Sequence, residues 1–130
     1  MSVKKKENIA LVITANKKLS LIQKEFNLLF PFLKLEFFRT KHGVKASSPK
    51  KDILKQDFTL KEFRKKNLHG SITITEEMVV STLEQLFDEQ FGISAQVFRK
   101  SGRSWLETSM TDDWTLKRQN DQGRELSYFA

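Results

Sequence analysis

Ile74-Thr75-Glu-Glu-Met-Val-Val80-Ser81-Thr-Leu83-Glu84-Gln-Leu-Phe87-Asp-Glu-Gln-Phe91-Gly92 decides the reading of the fold, because an earlier stretch has the same pattern. That stretch is Ile13-Thr14-Ala-Asn-Lys-Lys-Leu19-Ser20-Leu-Ile22-Gln23-Lys-Glu-Phe26-Asn-Leu-Leu-Phe30-Pro31. Spacing between equivalent residues is constant through both, which is how an internal repeat shows itself. Beyond one extra residue in the first copy, Phe38-Arg39 matches Phe98-Arg99. Further on, Asp57-Phe-Thr-Leu-Lys61 matches Asp113-Trp-Thr-Leu-Lys117.

Each copy reads as strand, helix, strand and short helical turn. Ser71-Ile-Thr-Ile-Thr75 alternates with period two and predicts a strand, and Ile9-Ala-Leu-Val-Ile-Thr14 is its counterpart. Ser20 with Gln23, and Ser81 with Glu84, have the spacing of a capping box. Ile22, Phe26 and Phe30, like Leu83, Phe87 and Phe91, recur every four residues and predict one apolar stripe per helix. Pro31 cannot continue a helix, and Gly92 tolerates a left-handed cap. Strands are expected at Leu33–Phe38 and Ser94–Phe98. Arg99-Lys-Ser-Gly-Arg103 reads as a hairpin turn into Ser104-Trp-Leu-Glu-Thr108. The closing turns carry a Thr59–Glu62 capping box, with Phe58 and Phe63 at staple positions, and in the second copy Trp114 in place of Phe58. Asp112 and Asp113 stand where they would cap the last helix.

The expectation is therefore one α+β domain over residues 1–130, with two main helices on one face of a mixed sheet. Repeats run over about 7–68 and 69–130, and a basic loop over about 40–56. Eleven Phe against one Tyr lack a polar handle and are mostly assigned to the core. Without cysteine the chain has no disulfide, thiolate metal site or Cys nucleophile. The charged start Met1–Glu7 leads into an apolar run too short for a signal peptide. No stretch approaches the roughly 20 apolar residues of a membrane span. A cytoplasmic protein without membrane association is expected.

Residues 69–130, through Gln-Val-Phe-Arg-Lys-Ser-Gly-Arg-Ser-Trp-Leu-Glu-Thr (96–108) and Thr-Asp-Asp-Trp-Thr-Leu (111–116), resemble a bacterial family of uncharacterised proteins, a resemblance that implies no activity. Residues 72–120 also resemble the β-grasp arrangement of ubiquitin-like domains, in a strand, a helix ending Phe-Gly-Ile (91–93) and a hairpin. This alternative fold for the second half implies a binding module. The chain ends Ser127-Tyr-Phe-Ala130 rather than in paired glycines, so conjugation is not implied.

Catalytic equipment is missing from the pattern. His42 and His69 have no ligand-spaced partner, so neither a metal nor another cofactor is expected. No phosphate-cradling glycine loop or nucleophile elbow occurs, and an enzyme is not expected. Charge is the informative feature. The net charge is +7, but residues 1–66 hold 17 of the 23 Lys and Arg and 6 of the 16 Asp and Glu, a balance of +11, against −4 for the remainder. The candidate binding residues are Arg39, Lys41 and His42 after one strand, Arg99, Lys100 and Arg103 in the equivalent turn of the other copy, and Trp105 beside it. Basic tips suit phosphates, while opposed halves and a Trp anchor suit a protein partner or self-association. The sequence places protein partners slightly ahead of RNA or DNA, and leaves open whether Trp105 faces out or in.

Overall fold

The computed structural model describes residues 11–38, 57–64 and 70–128. In chain order these form β1 (Leu11–Thr14), α1 (Leu19–Leu29), β2 (Leu33–Phe38), α2 (Leu60–Arg64), β3 (Ser71–Ile74) and α3 (Val80–Leu86), which runs into a π-helical turn (Phe87–Phe91). There follow β4 (Ser94–Ser101), β5 (Ser104–Glu107), a 3-10 turn (Ser109–Thr111) and α4 (Leu116–Tyr128). The class is α+β, as the pattern predicts.

The sheet differs from the expected one. Instead of a single mixed sheet, the described strands make two antiparallel sheets, β1–β3 and β2–β4–β5. The reason lies in the register. Val12 stands opposite Thr73, and Glu36 opposite Gln96, and each pair consists of residues equivalent in the sequence alignment. Strands that meet at equivalent residues are related by a two-fold rotation across the pairing, and such a rotation reverses strand direction. In the second unit β3 and β4 consequently lie in different sheets.

Backbone contacts recur at equivalent positions. Leu19 N donates to Phe58 O (2.8 Å) and Val80 N to Trp114 O (3.0 Å), while Lys61 N donates to Ala15 O and Lys117 N to Glu76 O, both at 3.0 Å. These bonds correct the predicted capping boxes. The N-caps of α1 and α3 are Lys18 and Val79, and neither uses a side chain. The first amides of each helix, Leu19 N and Ser20 N in α1 and Val80 N and Ser81 N in α3, are instead taken by the segments before α2 and α4, so neither helix start depends on a side-chain box. Ser20 N and Oγ both donate to the Asp57 carboxylate, at 3.0 and 2.9 Å, and Ser81 N donates to Asp112 O at 2.8 Å. The third predicted box does form: Glu62 N donates to Thr59 Oγ1 and Thr59 N to Glu62 Oε1, both 3.0 Å. Asp112 and Asp113 do not cap α4. Thr115 Oγ1 does, accepting from Arg118 N at 3.1 Å. α4 is also 13 residues long where a short turn was expected.

Both predicted stripes are core. Ile22, Phe26, Leu83, Phe87 and Phe91 are 0% exposed, and Phe30 5%. Full burial of each such side chain contributes about 1.5–3 kcal/mol. Phe87 meets Phe37 of β2 edge-on, with centroids 5.2 Å apart. Leu35 and Val97 face each other across β2 and β4 and are buried in the same cluster as both stripes, so α1 and α3 cover one face of that sheet. Gly92 ends the second helix with φ 68°, in the left-handed region, and Gly92 N donates to Asp88 O at 2.9 Å. Among the described residues no helix is long and apolar enough to cross a membrane.

Candidate ligand-binding face

Strand alternation sends the neighbours of the buried residues the other way. Leu33, Leu35 and Phe37 point to the helices, so Lys34 and Glu36 point away. On β4 Val97 is buried, so Gln96, Phe98 and Lys100 share the outer face with Trp105 and Glu107 of β5. The register sets Lys34 opposite Phe98 and Lys100 opposite Trp105. Lys34 Nζ lies 5.5 Å from the Phe98 ring centroid and 5.0 Å from that of Trp105, and Lys100 Nζ lies 5.6 Å from Trp105. Lys34 also pairs with Glu36 at 3.4 Å. The result is a patch of two half-buried aromatic rings with ammonium groups over them.

This geometry sorts the sequence candidates. Lys100 and Trp105 meet on the outer face, which answers the question left open for Trp105. Arg103 is exposed at the hairpin tip, where Gly102 takes φ 63°. The predicted turn over 99–103 is shorter than expected, since β4 continues through Ser101 and only Gly102 and Arg103 lie between the strands. Arg99 is thus a strand residue on the helix side, pointing away from Lys100 and not part of a cationic tip. Arg39, Lys41 and His42 lie outside the described residues, as do the basic loop, His69, and the side chain of Phe63. Phe98 and Lys34 were missed. The signal that finds them is alternation against Val97 and Leu35, which the assignment of Phe to the core overrode.

Behind the face lies a buried carboxylate. Glu84 Oε2 accepts from Val97 N at 3.0 Å and from Gln96 Nε2 at 3.4 Å. Burial pushes its pKa up from 4.5 to about 7; the Val97 N–H opposes the rise, and Asp112 and Glu107 add to it. At the equivalent place in the first unit, Gln23 Nε2 donates to Leu35 O (2.9 Å) and Glu36 Oε1 (3.4 Å). Elsewhere, a groove of about 180 Å³ is lined by Leu29, Phe30, Glu76, Lys117, Asn120 and Asp121. Three of its polar side chains are engaged in the fold: Lys117 donates to Asp121 at 3.1 Å, and Asn120 Oδ1 accepts from Phe32 N at 2.8 Å. Among the described residues no three His, Asp or Glu side chains gather in a way that could hold a metal.

Compared with models of known protein families, with curated proteins and with solved structures, the chain matches none.

Proposed function

We propose that the chain is a noncatalytic binding module that takes single-stranded nucleic acid on the outer face of the β2–β4–β5 sheet. The observation that supports this is the placement of the Lys34 and Lys100 ammoniums over the Phe98 and Trp105 rings. An exposed cation–π contact contributes about 0.5–1 kcal/mol. A base stacked on an aromatic side chain contributes about 1–3 kcal/mol. Bases therefore displace the ammoniums, which remain tethered beside the rings and meet the phosphates of the same strand, with Arg103 at the tip as a third cation. The overall charge of +7 favours the same ligand. Descent of the two units from one duplicated segment belongs to the same reading, supported by the matched backbone bonds.

A protein partner is the second reading. It is favoured by Leu106 (43% exposed) and Met110 (93% exposed), which put apolar surface on and just beyond the edge strand that carries Trp105.

The test is titration of labelled random RNA and DNA single strands at about 50 and 200 mM salt. Binding should fall steeply with salt, and Trp105→Ala or Phe98→Ala should weaken it about tenfold. Lys34→Gln with Lys100→Gln should lower the salt slope by about 1.4, at about 0.7 per phosphate contact on a single strand. Full affinity in Trp105→Ala would sink this reading. Partner binding lost in Trp105→Ala with the salt slope unchanged would establish the protein interface instead.

A further inference from the structure

Arg99 occupies an apolar position by register, between Leu33 of β2 and Leu106 of β5, on the face turned towards α4. Its guanidinium is held there. Nη1 donates to Gln119 Oε1 at 2.9 Å, and Gln119, 0% exposed, is itself fixed by donating Nε2 to Thr111 O (2.8 Å) and Thr111 Oγ1 (2.9 Å). Arg99 Nε is buried and has no hydrogen-bond partner. The Arg99 guanidinium carbon lies 5.7 Å from the Trp114 ring centroid, and that of Arg118, one helical turn beyond Trp114, lies 3.8 Å from it. Two cations thus share one indole. The ion pairs among the described residues involve Lys17, Lys34, Lys117 and Arg124, and among those residues neither arginine pairs with a carboxylate.

Packing on Trp114 accounts for Arg118, an exposed side chain whose guanidinium carbon sits over the ring. It does not account for Arg99. A guanidinium oriented by a buried amide, with a buried donor unused and a second cation close by, is an arrangement that lacks its anion. Partial burial also lowers the Arg99 pKa from its ordinary value.

We infer that Arg99 and Arg118, gathered at Trp114, form a second binding site, for a phosphate group. A guanidinium fork matches two phosphate oxygens at once, and Arg118 is long and exposed enough to swing from the ring onto the same group. The site lies on the opposite side of β4 from Lys100 and Trp105 and does not rest on the reading of the outer face.

The chain holds two tryptophans, so Trp105→Phe leaves Trp114 as the sole indole in the full-length protein. Inorganic phosphate, titrated against chloride at constant ionic strength, should give a saturable change in Trp114 emission with a millimolar midpoint. Arg118→Gln, on the exposed surface, should raise that midpoint at least fivefold. Arg99→Lys, which keeps the charge but loses the fork, should do the same with far-UV circular dichroism unchanged. A mononucleotide that binds more tightly than a dinucleotide phosphodiester identifies a terminal or free phosphate; the reverse identifies a nucleic-acid backbone. Either order supports the site. No saturable response, an equal response to chloride, or a midpoint unmoved by Arg118→Gln overturns it. Trp105→Ala should weaken binding at the outer face about tenfold and leave this titration intact, so the two readings fail separately.

Discussion

The two units of this chain build one contact from exchanged side chains. In the first, Gln23 on the helix donates to Glu36 on the strand; in the second, Gln96 on the strand donates to Glu84 on the helix, and both distances are 3.4 Å. Geometry is matched, electrostatics are not. Glu36 sits on the outer face within 3.4 Å of Lys34 and keeps company with a cation. Glu84 is taken out of water behind β4, with Asp112 and Glu107 for neighbours, and its pKa rises to about 7. The lesson is that strand register fixes where such a pair must sit, while the end that carries the acid is decided separately and sets how the unit responds to protons.

The comparison breaks first if the stripes are unequal. Phe26→Ala and Phe87→Ala each remove a ring that is 0% exposed, and each should destabilise by about 3–5 kcal/mol in urea unfolding. The loss should be larger at Phe87, which forfeits its edge contact with Phe37. A loss below about 1 kcal/mol at either would end the equivalence of the units.

Proton response should come from the second unit. Glu84 binds its proton more tightly folded than unfolded, so its contribution is complete below about pH 4.5 and declines as pH rises towards about 7. Relative to Glu84→Gln, whose stability should lack this slope, wild type should lose at most about 3 kcal/mol across that window. A curve parallel to that of Glu84→Gln would place the acid in water. The comparison with Glu84→Gln is needed because Asp57 and Asp121, both with lowered pKa values, act in the opposite sense as pH falls.

α4 offers a sharper distinction from its short counterpart α2. A Gly→Ala change inside a helix ordinarily stabilises by about 1 kcal/mol. At Gly123 the new Cβ would stand 2.8 Å from Phe32 Cβ, 3.1 Å from Phe32 O and 3.2 Å from Arg99 Cγ. Overpacking should win, and Gly123→Ala should destabilise by about 1–3 kcal/mol in thermal unfolding. A stabilised variant would mean that α4 docks less closely on β2 and β4. The smallest effect concerns the boxes. Thr59→Ala should cost about 1 kcal/mol by removing a working cap, while Ser81→Ala, whose hydroxyl caps nothing, should cost under about 0.5 kcal/mol.

Much of this fold is legible in the sequence because it is local. The four-residue spacing of Leu83, Phe87 and Phe91, the left-handed Gly92 and the reciprocal Thr59–Glu62 box each depend on neighbours within a turn or two. The helix starts are not local. Val80 N is served by Trp114, 34 positions on, and a Ser–Glu spacing cannot reveal that its cap is already taken. The sheet was unreadable for the same reason, since β1 and β2 find their partners in the other unit. Of the candidate face, Lys100, Arg103 and Trp105 were visible as a cationic hairpin with an anchor. Phe98 was hidden by its own chemistry, because an apolar ring without a polar handle reads as core until its strand neighbours show which way it points. Arg99 was misplaced by one turn boundary, and that single shift moves it to the opposite side of the sheet.

The pairing of like with like also bears on how the chain reaches this state. Val12 and Thr73 are 61 positions apart, Glu36 and Gln96 are 60, and among the described strands only the β4–β5 hairpin is closed by residues near in sequence. Among the described strands, those of an emerging N-terminal half therefore have no partner until the second unit has been synthesised. Most loop-closure entropy must be met before the sheets reward it, so folding should be slow for a chain of this size. It should begin from the second unit, where the hairpin forms on the microsecond scale and offers β4 as the template to which β2 is added.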